Sequence, residues 1–194
     1  MGLLDTILGR SKPVKPDLDE LFALPSAAVT LEAGLGLTPT GVGSVCVKPA
    51  EGGGFAGLRQ QIDALLAADN DKYDEVVDSY GFSWITRRGD PNDLQDLVGD
   101  LHTVNASLND AGFGPALLCT LVVFGAGSAA AATDRAPVGL VYLYKRGTWY
   151  PFVPTGNERR DNARELQVKA AIGSDLKMEE DLSRWFPVWG APGL

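Results

Sequence analysis

The last ten residues of the chain, 185–194, hold half of its four tryptophans together with a phenylalanine, two prolines and two glycines. Large aromatic side chains at a chain end need an apolar surface, because exposed tryptophan pairs promote aggregation. We therefore expect Trp185, Phe186 and Trp189 to pack either on the chain's own sheet or on a partner protein. Completion of the chain's own core is the favoured alternative, with the aromatic cluster at 149–152 as the candidate receptor.

The charge of the chain excludes some classes of partner. Its 194 residues carry 17 basic and 25 acidic side chains, for a net charge of −8. Nucleic-acid binding and unaided binding to anionic lipid both depend on lysine and arginine, so neither is expected. Cys46 and Cys119 lie in separate apolar stretches, which predicts reduced, buried thiols. The spacing of cysteine and histidine fits no metal motif, and we predict no metal and no cofactor.

Hydrophobic patterning predicts a single α+β domain over residues 17–194, with a mostly antiparallel sheet and helices packed on one face. Two strands and a helix, again two strands and a helix, and then three strands and a helix form successive ββα-like units. Helices are expected at 17–24, 55–66, 94–108, 157–172 and 176–185, and strands at 27–33, 42–47, 74–78, 82–87, 116–124, 138–144 and 148–153.

Two helices are predicted in more detail. The apolar stripe at 94–108 is the strongest helical signal, with Asp90 as its N-cap and Pro91 at its first position. In the helix at 157–172, we expect Ala163, Leu166 and Ala170 to face the core.

Residues 1–16 form a separate predicted unit. Leu3, Leu4, Ile7 and Leu8 share one face at helical spacing, and residues 11–16 (SKPVKP) interrupt any helix. The segment is either a docking peptide on a tether or a helix packed on the parent domain. The uncharged stretch at 111–133 is long enough to span a bilayer, but its glycines and its short apolar centre favour a buried strand.

The clearest polar cluster in this acidic chain is basic. Lys145 and Arg146 lie on a predicted tight turn, and Arg159 and Arg160 lie at the start of a predicted helix. Together they could form one patch that binds a phosphate or carboxylate ligand. Pairing of the arginines with local acids is the alternative that we favour. His102 is the only histidine, and no nucleophile motif accompanies it, so we assign no catalytic residue.

Four segments resemble the family of PspA-associated proteins called PspAB: residues 1–10 (MGLLDTILGR), 21–33 (LFALPSAAVTLEA), 141–147 (VYLYKRG) and 185–194 (WFPVWGAPGL). The resemblance runs the whole length of the chain. It implies a role in the membrane-stress response of actinobacteria and related organisms, and association with phage shock protein A, a coiled-coil effector. It implies no reaction.

The first functional hypothesis is therefore a non-enzymatic regulatory or adaptor protein that binds a PspA-like protein. It would be cytoplasmic, with peripheral contact to the inner face of the plasma membrane as an option. Leu3, Leu4, Ile7, Leu8 and the aromatic tail would supply the partner-binding side chains. A ligand-binding protein or enzyme that uses the basic patch is one alternative. A secretion-chaperone-like binder of an extended client, based on fold analogy, is the other.

Overall fold

A computed structural model of the chain describes residues 16–48, 54–68, 72–127 and 136–194. Its helices are α1 Leu24–Leu35, α2 Gly54–Ala68, α3 Leu94–Leu108 and α4 Asn162–Ile172. Its strands are β1 Leu37–Val47, β2 Tyr73–Val77, β3 Ser83–Arg88, β4 Leu117–Ala126, β5 Val138–Leu143, β6 Thr148–Phe152, β7 Pro154–Gly156 and β8 Arg159–Arg160. Short 3₁₀ turns at Leu18–Ala23, Gly114–Ala116 and Leu182–Arg184 connect them.

Six strands form one antiparallel sheet in the order β2-β3-β1-β4-β5-β6, and β7 pairs with β8 in a separate small hairpin. The two longest strands, β1 and β4, lie side by side at the centre. Hairpins β2–β3 and β5–β6 extend the sheet on either side of this pair. The predicted α+β class with mostly antiparallel pairing is confirmed.

The helices pack on one face of the sheet, as predicted. Helix α3 crosses the central strand, where Leu97 and Leu101 close over Gly43 of β1. The larger apolar core lies between the helices and this face. Side chains alternate along each strand, so a second apolar cluster forms on the opposite face, which the four helices leave uncovered.

The strand predicted at 27–33 is wrong, because these residues belong to helix α1. Pro25 does not end a helix here but occupies the first turn of α1, where its missing N–H is harmless. Leu24, Ala28 and Leu31 then recur at helical spacing on the buried side. The first predicted ββα unit is therefore helix α1, one long strand β1 and helix α2.

The helix ends also differ from the prediction. Asp93, not Asp90, caps α3 by accepting a hydrogen bond from the Asp96 N–H at 3.0 Å. Asp90 instead accepts from the Asn92 N–H in the preceding turn. The helix expected at 157–172 begins only at Asn162, because the small β7–β8 hairpin takes up the residues before it.

The predicted inward face of α4 is wrong as well. Ala163, Leu166 and Ala170 are exposed, whereas Glu165 and Val168 are buried together with Ile172. A prediction from apolar periodicity alone misses this face, because the charged residue Glu165 is buried on it. The final helix expected at 176–185 is reduced to the 3₁₀ turn Leu182–Arg184, and residues 177–179 instead run beside β6.

Candidate functional site

An apolar groove occupies part of the sheet face opposite the four described helices. It encloses a volume of about 770 Å³. Its floor comes from β1, β3, β4, β5 and β6, and its two walls come from the β2–β3 turn and the C-terminal tail. The floor residues are Cys46, Trp84, Leu118, Cys119, Leu143 and Tyr150.

The tail covers another part of this face. Trp185 is 6% exposed and stacks on Tyr150, with ring centroids 6.0 Å apart. Trp189 meets the edge of Phe152 at 4.9 Å. The terminal Leu194 packs against Gly139 of β5, where any larger side chain would collide with it. The tail therefore completes the chain's own core, which is the alternative that the sequence favoured.

The three aromatic residues of the tail do not share one environment. Trp185 is held inward by a hydrogen bond from its Nε1 to the Glu179 carbonyl at 3.0 Å. Phe186 is 58% exposed, and Trp189 is half-buried, and both line the groove. Phe186 and Trp189 therefore present apolar surface in the groove, whereas Trp185 packs inward and holds the tail on the sheet.

The two cysteines lie directly opposite each other in the β1–β4 pair, on the groove floor. Both are buried free thiols, as predicted. A hydrogen bond between the two thiols and then burial raise the pKa of Cys46 far above its ordinary value. Since the thiolate is the nucleophile, this raised pKa makes Cys46 a poor nucleophile, and both side chains contribute apolar surface to the groove floor.

The predicted basic patch is not assembled. Lys145 and Arg146 lie in the turn before β6, whereas Arg159 and Arg160 follow that strand, so the two pairs lie at opposite ends of it. Arg160 donates from Nε to Glu165 at 2.8 Å. The favoured alternative, local pairing of the arginines, holds for Arg160.

Arg146 has a similar role at the other end of β6. Its Nε donates to the Glu179 carboxylate at 3.1 Å, and Thr148 Oγ1 donates to the same oxygen at 3.0 Å. The Asp181 N–H donates to the second oxygen of Glu179. Glu179 is 3% exposed, so this cluster ties the start of the tail to the β5–β6 turn.

The rim of the groove is polar and uneven in charge. Lys145, Arg146 and Arg184 stand on the side of the β5–β6 turn and the tail, and Asp78 stands on the side of the β2–β3 turn. Lys145 Nζ donates to the Pro115 carbonyl, and Asp78 accepts from Trp84 Nε1 at 2.9 Å. An apolar floor between charged edges suits an amphipathic ligand.

Glu179 gives a prediction about acid stability. Burial raises its pKa, but hydrogen bonds from Asp181, Thr148 and Arg146 outweigh burial and leave the pKa below its ordinary value of 4.5. Its contribution to folding is therefore present above that value and is lost as the pH falls through the lower pKa of the folded state. In urea unfolding, the stability difference between wild type and Glu179→Gln should shrink steadily in acid. A difference that is independent of pH would contradict this assignment.

Several groove residues were not singled out from the sequence. Tyr80 and Phe82 lie in the β2–β3 turn, and Trp84 follows on β3. The signal was present, since Phe82 and Trp84 alternate on one face of a predicted strand. The predicted segment with Leu3, Leu4, Ile7 and Leu8 lies outside the described residues, and its role stays a prediction.

The fold and the groove define a class: an α+β protein whose antiparallel sheet carries helices on one face and a partly open apolar groove on the other. A family model described as PspA associated protein B matches residues 1–193, so the chain belongs to this family. The searches of curated proteins and of solved structures found no match. Within the described ranges, no helix has the length and apolar character needed to cross a membrane.

Proposed function

We propose that this protein is a non-enzymatic adaptor of a bacterial membrane-stress system, and that its groove binds the apolar face of an amphipathic helix from a PspA-like coiled-coil protein. The groove itself is the observation that carries the proposal. Membership of the PspA-associated family supports the choice of partner. The groove supplies a contact surface of suitable chemistry.

The size of the groove fits one helix. Its floor runs from β3 across β1, β4 and β5 to β6, which at strand spacings of about 4.8 Å is about 19 Å. An α-helix with its side chains is about 10–12 Å across. The floor and walls offer aromatic and aliphatic side chains, which is the lining that helix-in-groove recognition uses.

The charges at the rim fit the same occupant. Helices of coiled coils carry acidic and basic residues beside their apolar stripe. Lys145, Arg146 and Arg184 line one edge of the groove, and Asp78 lines the other. Arg146 and Arg184 already pair with Glu179 and Asp181 of the tail. A helix with an acidic residue near Lys145 and a basic residue near Asp78 would therefore be favoured and oriented.

A non-enzymatic role agrees with the surroundings of the groups best suited to catalysis. His102 lies on the helix side of the sheet, where its ring is 5.0 Å from that of Phe22 and its Nε2 is 3.8 Å from Asp19. The two thiols lie on the opposite face, where the other thiol and burial hold the pKa of Cys46 far above its ordinary value. His102 and the groove thiols are therefore on opposite faces of the sheet and do not form a nucleophile–base pair.

The test is a calorimetric titration of the purified full-length protein with a purified PspA-like protein from the same genome. Leu118→Arg places a charge on the groove floor at a half-buried position, from which it can reach solvent. We expect this change to raise Kd by at least about tenfold, since it removes an apolar contact and desolvates a charge.

Val29→Arg is the matched control. Val29 is 69% exposed on α1, on the side of the molecule away from the groove. This control should bind like wild type, and both variants should keep the wild-type melting temperature within a few degrees. Equal binding by Leu118→Arg and wild type would refute the groove as the contact.

A further inference from the structure

We infer that the groove also binds one long-chain fatty acid as a free monomer, with the acyl chain laid across the strands and the carboxylate beside Lys145. Binding of this ligand requires no partner protein, so it is a property beyond the proposed function. Three features of the groove support it: the shape of the floor, the course of the tail that walls it and the charge at one end.

The groove floor contains a straight row of paired residues. Trp84 of β3 is paired with Cys46 of β1. Cys46 is paired in turn with Cys119 of β4, and Cys119 with Leu143 of β5. All four line the groove, since directly opposed residues of antiparallel strands place their side chains on the same face. The floor is therefore an apolar row that runs across the strands.

The C-terminal tail follows the same direction. Trp185 at its start stacks on Tyr150 of β6. Near its end, Gly193 lies against Val42 of β1 and Val123 of β4. The tail thus crosses the strands beside the apolar row, and the part between these contacts walls the groove. A groove of this shape suits a straight chain of methylene groups, which would contact floor and wall along its length.

The length of the row matches a fatty acid. Three strand spacings of about 4.8 Å make the row about 14 Å long. With C–C bonds of about 1.5 Å and near-tetrahedral angles, each carbon of an extended chain adds about 1.25 Å, so about eleven carbons cover the row. The groove volume of about 770 Å³ lies within the range of about 300–1,000 Å³ that is usual for small-molecule sites.

A cation lies at the β5 end of the row. Lys145 follows Leu143 by two residues, is exposed and lines the groove. Its Nζ donates to the Pro115 carbonyl at 3.0 Å. An ammonium group has further N–H donors, and these can bind a carboxylate at the rim. A carboxylate in this position would form a charge-assisted hydrogen bond while its chain lies on the row.

The neighbouring cations are engaged within the protein. Arg146 pairs with Glu179, and Arg184 pairs with Asp181. Among the described residues of the rim, Lys145 is the cation without a carboxylate partner. One positive charge is therefore unbalanced at this end of the groove, which favours a monoanion such as a carboxylate over a phosphate dianion.

The opposite end of the row suits the methyl end of the chain. Asp78 Oδ1 accepts from the Tyr80 and Phe82 N–H groups. Its Oδ2 accepts from Trp84 Nε1 at 2.9 Å. The rings of Phe82 and Trp84 line the groove here, and an anionic head group would meet the like charge of Asp78. The carboxylate is therefore oriented toward Lys145.

The partner helix of the proposed function would use the same floor. The acid and the helix would therefore exclude each other, and the apparent Kd for the helix would rise with the fraction of grooves that hold the acid. This competition rests on the proposed function, whereas binding of the acid to the free protein does not.

Calorimetric titration of the full-length protein alone with laurate, at monomeric concentrations and at two temperatures, tests the inference. We expect one site per molecule. From decanoate through laurate to myristate, Kd should fall by about two- to fourfold per added carbon, because each methylene group loses contact with water in the groove. Dodecanol, which lacks the charge, should bind several-fold more weakly than laurate.

A charge reversal at the rim provides the matched variants. Lys145→Glu should raise Kd for laurate by about three- to tenfold and should lower it for dodecyltrimethylammonium. Lys177 is exposed and does not line the groove, so Lys177→Glu should bind laurate like wild type. Both variants replace exposed side chains and should keep the wild-type melting temperature within a few degrees.

Three results would overturn the inference. The first is no binding of laurate at either temperature, and the second is equal binding by wild type and Lys145→Glu. The third is binding to phosphatidylglycerol vesicles without binding to monomeric laurate, because the ligand would then be a bilayer; the net charge of −8 argues against that outcome. These measurements contain no partner protein, so their failure leaves the partner titration to be judged by itself.

Discussion

Replacing Arg160 with alanine is expected to lower the free energy of unfolding by about 3–5 kcal/mol, among the largest single-residue effects in this protein. Arg160 Nε donates to both oxygens of Glu165, at 2.8 and 2.9 Å, and Glu165 is 2% exposed. Without the guanidinium, the carboxylate would stay buried with only the Val153 N–H as a described donor. Urea unfolding followed by tryptophan fluorescence measures the loss.

Arg160 also links two other parts of the fold. Its Nη1 donates to the Trp185 carbonyl at 2.7 Å, and its guanidinium lies 5.0 Å from the centre of the Phe152 ring. The neighbouring Arg159 is exposed, so Arg159→Ala is the matched control and should change stability by less than about 0.5 kcal/mol. Similar losses in the two variants would show that the buried ion pair does not have the assigned role.

Replacing Trp185 with alanine should also lower the free energy of unfolding by about 3–5 kcal/mol, which is the second large effect expected. The change removes the ring that stacks on Tyr150 and the hydrogen bond from Nε1 to the Glu179 carbonyl. It also leaves a cavity between β6 and the tail. Because the tail forms one wall of the groove, the variant should lose partner binding together with stability.

Phe186→Ala separates these two consequences. Phe186 is 58% exposed and lines the groove, so its removal should change stability by less than about 1 kcal/mol while it weakens binding. Differential scanning calorimetry and the calorimetric titration measure the two quantities. If Phe186→Ala destabilised the protein as much as Trp185→Ala, the division of the tail into an anchor and a contact residue would be wrong.

Most elements of the fold follow from local sequence pattern. The stripe in α3 and the alternation in β2, β3, β5 and β6 were each readable within their own segments. Helix α1 could not be predicted in this way, because a proline such as Pro25 is found both after the end of a helix and in the first turn of one. The inward face of α4 was missed because a buried ion pair places Glu165 where an apolar residue is expected.

The site was harder to predict because it is assembled from distant parts of the chain. The groove floor joins five strands, and its walls come from a turn and from the tail, so no local segment contains its pattern. The basic patch failed for a simple geometric reason. Arg146 and Arg160 are close in sequence, but the extended strand β6 lies between them, so they are at opposite ends of that strand. Packing of the tail on the chain's own sheet could be predicted, because its large aromatic side chains are unfavourable when exposed to water.

The most direct test of the groove is fluorine NMR of the protein labelled with 5-fluorotryptophan, because the chain has four tryptophans and they report on different places. Trp84 and Trp189 line the groove, whereas Trp149 is fully buried in the core on the helix side and serves as an internal control. On addition of the PspA-like partner, we predict that the resonances of Trp84 and Trp189 shift while that of Trp149 stays in place. Binding that leaves the Trp84 and Trp189 resonances unchanged would contradict the account.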